Sequence, residues 1–173
     1  MEKNNVALQR QNLLFRLSCL PEKIISAHDR DNLIEFILYE ICHPECFNFQ
    51  RAAFLIDNPD FNCLKGIAGF CAQEHSTSSN IWESPELFSQ NMQQGDFNNS
   101  VRSIQQTSLQ KINHLQESLP QISQQLALTN PSWHIFTVKH GNTGILLFEQ
   151  PSQDIHHEHV PAGAALLALC PIW

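Results

Sequence analysis

Cations are scarce in this sequence. Ten Lys and Arg stand against 17 Asp and Glu, for a formal net charge of −7. That is too few positive groups for an extensive phosphate-binding surface, which argues against nucleic-acid binding, and an anionic membrane would repel the chain. Long apolar runs are also missing: nothing approaches the roughly 18 consecutive residues of a membrane span. The opening Glu2-Lys3-Asn4-Asn5 lacks the basic-then-apolar layout of a signal peptide, so a cytoplasmic protein is expected. Gly66, Gly69 and Gly95 are not followed by Lys-Ser or Lys-Thr, which removes the phosphate-cradling loop. No nucleophile sits in a glycine elbow. Without these signatures the chain is expected not to be an enzyme; its cofactors, if it has any, are left unknown.

What remains is material for one core. Hydrophobic residues make up 42% of the 173 positions, enough for a single domain over residues 1–173. The six cysteines (Cys19, Cys42, Cys46, Cys63, Cys71 and Cys170) lie in apolar surroundings in a chain that needs no staples. They read as reduced thiols, mostly buried.

Spacing sets the expected elements. Val6, Leu13, Leu17 and Leu20 recur as on an amphipathic helix, which Pro21 is expected to kink or restart. Asp29 is placed to cap a second helix whose face carries Leu33, Ile34, Ile37, Leu38 and Ile41. Arg51 to Asp57 is a compact apolar strand stopped by Asn58-Pro59-Asp60, and Cys63 to Phe70 returns antiparallel to it. The glycines of the second strand allow a bulge or a close backbone approach. Residues 73–128 form a variable middle, of which Gln73 to Ser100 is a polar connection with one short helix after Ser84-Pro85. No clear third strand is expected there. Ile112, Leu115, Leu119, Ile122 and Leu126 follow a helical stripe interrupted by Pro120, so two short helices or one kinked helix are expected. Trp133 to Lys139 and Gly144 to Glu149 make a second hairpin around Gly141-Asn142. A last helix falls within Ile155 to Leu169.

Two constellations offer metal-ligand chemistry. Cys42-His43-Pro44-Glu45-Cys46 places two thiols near an imidazole, but the spacing is not that of a zinc ribbon or finger, and Cys42 continues an apolar helix face. The reading is structural. Asp154 to His159 concentrates His156, His157 and His159 in a polar first turn, read as exposed imidazoles.

The segments Asp29 to Cys42, Phe47 to Asp57, Leu64 to Phe70 and His140 to Leu146 resemble, respectively, the second helix, first strand, second strand and closing hairpin of the GAF family. That resemblance implies an α+β sandwich: a GAF-like central antiparallel sheet, helices packed on one face and a ligand cavity on the other. It implies a non-catalytic signalling domain that binds a small molecule and passes the signal to an output partner, as in bacterial-type signalling. It further implies a homodimer through the terminal helices, residues 1–28 among them. Phe70, Trp82, Phe88, Phe97 and Phe136 are the candidate ligand-binding residues, although each is also ordinary core material. The alternative is a protein–protein interaction or dimerisation module with no small ligand.

Overall fold

The computed structural model describes residues 2–75, 80–110, 115–149 and 157–171. Its helices are α1 (Glu2–Ser26), α2 (Leu33–Cys42), α3 (Pro85–Gln94), α4 (Asp96–Arg102), α5 (Leu115–Gln125) and α6 (Val160–Leu169). Its strands are β1 (Arg51–Asn58), β2 (Cys63–Cys71), β3 (Gln105–Gln106), β4 (Pro131–Thr137) and β5 (Thr143–Glu149).

The two expected hairpins exist, and they join. β1 pairs antiparallel with β2 and also with β5, so the sheet runs β3-β2-β1-β5-β4 with β1 at its centre. The class is α+β. Because side chains alternate across a strand, β1 splits its apolar residues between two cores. Ala52, Phe54 and Ile56 face one way and pack with α1, α2 and α6. Ala53 and Leu55 face the other way, where Val101 of α4, Leu119 and Ile122 of α5 and Leu126 just after it cover them. The face on which a cavity was expected thus carries two helices of its own.

Several elements differ from the sequence-based expectation, each for a local reason. α1 runs unbroken through Pro21. Leu13 and Leu17 before the proline and Leu20 and Ile24 around it are all buried in one stripe, which outweighs one lost backbone hydrogen bond. α2 starts at Leu33 with Asn32, not Asp29, at its N-cap position. The Asn32 amide is used elsewhere, donating to Ser89 Oγ at 2.7 Å. α5 is one helix over its described residues, with Pro120 inside it.

Where one short helix was expected after Ser84-Pro85 there are two, α3 and α4, followed by a two-residue third strand. β3 reaches only Leu64 and Lys65 of β2. Beyond that point α4 takes over the edge: Gly66 N–H donates to Ile104 O at 3.0 Å, Arg102 Nε to Ile67 O at 3.3 Å, and Gly69 N–H to Asn98 Oδ1 at 2.8 Å. An open strand edge is thereby closed by a helix. The approach demands glycine. A Cβ at Gly66 would lie 1.8 Å from Val101 O, and one at Gly69 would lie 2.6 Å from Val101 Cγ2. The register of β1 against β2 slips between Phe54 and Leu55, which leaves Ile67 as a bulge in β2 between these glycines.

Candidate functional site: a charged cleft between the first two helices

α2 is so deeply packed that nearly every residue of Leu33–Cys42 is buried, and two glutamates are carried inside with the apolar ones. A buried carboxylate is costly unless charges and hydrogen bonds satisfy it. For Glu40, 4% exposed, α1 supplies the charges. Arg16 and Lys23 are seven residues apart, two turns, and so share a face of α1. Arg16 Nη1 donates to Glu40 Oε2, and Lys23 Nζ donates to Oε1 at 2.9 Å. A third donor, Trp82 Nε1, reaches Oε1 at 2.5 Å, and the Lys23 ammonium lies 4.9 Å from the Trp82 ring centre. Burial pushes the Glu40 carboxyl up, but the hydrogen bonds from Lys23 and Trp82 and the charges of Lys23 and Arg16 outweigh it. The group titrates below its ordinary value.

Above this clamp lies a cleft of about 660 Å³ with Arg16, Lys23, Glu40, His43 and Glu45 on its polar side and Phe15, Tyr39 and Ile81 among its apolar lining. Arg16 Nε donates to Glu45 Oε2 at 3.3 Å, and its Nη2 stands 3.1 Å from His43 Nε2. The Glu45 backbone N–H donates to His43 Nδ1 at 3.2 Å. Burial, assisted by the Arg16 charge, lowers the His43 pKa, so the imidazole is neutral at pH 7.

The five aromatic candidates do not come together as one lining. Trp82 and Phe88 both pack on Phe36, with ring centres 5.0 and 4.5 Å away, and Phe70 meets Tyr39 at 5.5 Å. Phe136 stacks on Phe54 at 5.8 Å in the same core layer. Phe97 belongs to the opposite face, against the α4 and α5 layer. Only Trp82 touches the cleft's machinery, through its indole N–H. The charged residues of the cleft were not among the candidates. The legible signal was Glu40 itself, a carboxylate inside an apolar helical run, together with two cations at a two-turn interval on the preceding helix.

The cysteine-histidine segment is split by its surroundings. Cys42 is buried in the core, and burial pushes its thiol well above the ordinary value; Cys46 is pushed up to about 12, also by burial. His43 turns to Arg16 instead. All six cysteines are free thiols, with Cys42, Cys71 and Cys170 buried. Among the described residues no three His, Cys, Asp or Glu side chains cluster as a metal site. His156 lies outside the described residues, His157 is exposed and His159 is half-buried.

No protein-family model, curated protein or solved structure matches this chain. The site is therefore read from its own geometry. Among the described residues no helix is long and apolar enough to cross a membrane. On the outer side of α1 a second, more open cleft of about 710 Å³ is lined by Val6, Arg10, Leu14 and Phe15 among others. Phe15 borders both clefts and is 69% exposed.

Proposed function

We propose that this chain is a non-catalytic, cytoplasmic regulatory domain of GAF-like type that binds a small molecule in the α1/α2 cleft and signals through α1. The observation that carries the reading is the cleft itself: a buried, fully bonded Glu40 fixes Arg16 and Lys23 from below while their remaining N–H groups stay available from above. Its volume lies within the range of small-molecule sites. The GAF-like assignment draws support from two hairpins joined through β1 and β5 into one antiparallel sheet, with α1, α2 and α6 on one face.

The signalling route follows from α1 having two apolar stripes. Leu13, Leu17, Leu20 and Ile24 face inward and are buried. Leu8, Leu14 and Phe15 face outward, between 44% and 69% exposed. A second copy of the chain covers the outward stripe in this reading, giving a homodimer. A ligand touching Phe15 and Arg16 then favours one arrangement of paired helices over another, and an output partner reads that difference.

A thermal-shift screen across cyclic nucleotides, amino acids and other organic acids, nitrate-like anions and metal ions tests the binding claim. A ligand at 100 times its Kd raises stability by about 2.7 kcal/mol, and the Arg16→Ala variant is expected to lose that gain. The exposed stripe also favours a second reading, a dimerisation module without a ligand. No shift with any compound, together with a dimer in solution, is the outcome that selects it.

A further inference from the structure

We propose that the α1/α2 cleft is a receptor for a small-molecule carboxylate, held by Arg16, Lys23 and His43, and that the Glu45 carboxylate is the internal group such a ligand displaces. This assignment rests on the ligand-binding reading above and names its chemistry.

The case is one of unspent donors. A guanidinium has five N–H groups, an ammonium three, and a neutral imidazole one donor and one acceptor. Lys23 gives one N–H to Glu40. Arg16 gives one to Glu40 and one to Glu45. Its Nη2 faces His43 Nε2, while the other imidazole nitrogen is approached by the Glu45 backbone N–H. One neutral ring cannot accept from both. In one tautomer Nε2 accepts from Arg16; in the other Nδ1 accepts the backbone N–H, Nε2 carries the hydrogen, and two N–H donors converge at 3.1 Å. A carboxylate beside them satisfies both.

Charge narrows the ligand further. Arg16 and Lys23 are two cations and buried Glu40 neutralises one of them, so that a single positive charge is left for the occupant once Glu45 has been displaced. That matches a monoanion better than a doubly charged phosphate. The planar fork of Arg16 fits a carboxylate. Phe15, Tyr39 and Ile81 offer apolar surface to the body that bears the acid.

Glu45 already shows what the site takes. Its carboxylate sits on Arg16 Nε at 3.3 Å with its side chain 60% exposed. An exposed ion pair of that kind is weak enough for a better-placed acid to replace.

The test is a ¹H–¹⁵N NMR titration with benzoate, its uncharged isostere benzamide and inorganic phosphate, following the Trp82 indole N–H and the Arg16 Nε–H. Benzoate is expected to move both signals to saturation, benzamide to move neither, and phosphate to bind at least about tenfold more weakly. Glu45→Gln should tighten benzoate about two- to fivefold, the weight of an exposed ion pair. Arg16→Lys keeps the positive charge beside Glu40 but loses the fork, and should weaken benzoate about tenfold. Equal binding of phosphate overturns the carboxylate assignment, and unchanged or weaker binding by Glu45→Gln overturns the displacement. If benzoate fails while a neutral or cationic compound from the thermal screen moves the Trp82 indole, the ligand chemistry is wrong but the cleft stands. If nothing in the screen moves it, the ligand-binding reading falls as well.

Discussion

Glu35 and Glu40 lie five residues apart on one helix, are 1% and 4% exposed, and have opposite fates. Glu35 faces the edge of the sheet. It accepts from Arg102 Nη2 at 2.7 Å and from Asn98 Nδ2 at 3.0 Å, while Asn98 also donates to Met92 O and accepts from Gly69 N–H. Four elements, α2, α3, α4 and β2, are thus tied by one network, and neither cleft reaches it. Glu40 faces α1, and its partners are cations with hydrogen bonds to spare under an open cleft. The same side chain at the same depth ties elements together where no cleft opens above its partners, and underlies the proposed site where one does.

The comparison can be broken most severely at the sheet edge. Gly66→Ala drives a methyl group into Val101 O, a backbone atom that cannot swing away, and should cost more than about 4 kcal/mol in urea unfolding. Gly69→Ala meets only side-chain atoms, of Val101 and Phe97, and should cost about 1–3 kcal/mol. Near-equal losses would mean that α4 does not close the edge as described. Next comes Asn98→Ala, which leaves the Gly69 N–H without its acceptor and removes a donor from buried Glu35, for a loss of about 2–4 kcal/mol. Glu40→Gln should cost less, about 1–2 kcal/mol, because Arg16 and Lys23 are partly exposed and can be resolvated. A larger loss from Glu40→Gln than from Asn98→Ala would reverse the assignment of roles.

Acid sharpens the contrast. The Glu40 carboxyl titrates below 4.5 in the fold, so its contribution is complete above that value and disappears as pH falls through the lower folded one. His43, His75 and His134 are each lowered from 6.5 by burial, with Arg16 also lowering His43, so protonation favours the unfolded chain as pH drops from 6.5 toward their lowered values. Stability should therefore fall in two stages on acidification, and Glu40→Gln should flatten only the stage below 4.5. A variant curve parallel to wild type through that window would contradict the clamp. The smallest effect on folding concerns α1: deleting the residues before Asn12 removes Leu8 from the outward stripe, and the exposed Val6, but none of the buried stripe. Analytical ultracentrifugation is expected to find weaker dimerisation with the fold retained; an unchanged dimer would move the interface elsewhere.

What could be read from the sequence was whatever depends on neighbours in the chain. β1, β2, β4 and β5 were legible because alternation and turn residues act over a few positions, and the inner stripe of α2 because its period is local. α1 past Pro21 was not, since its continuity depends on Leu17, Leu20 and Ile24 finding a core. α4 was hidden for a similar reason: Asp-Phe-Asn-Asn-Ser-Val-Arg is short and polar, and only the β2 glycines across from it explain why it sits there. The cleft was the least legible of all. Arg16 meets Glu40 across 24 residues, and Trp82 meets it across 42, separations that no motif records. Aromatic residues drew attention as a lining and mostly fill the core.

The most direct measurement of the central claim is the thermal shift produced by the strongest ligand of the metabolite screen in wild type, Glu35→Gln and Glu40→Gln. The shift is expected to persist in Glu35→Gln, whatever that variant's own melting temperature, and to vanish in Glu40→Gln. A shift that survives in both, or is lost equally in both, would contradict the division between a closed network and an open site.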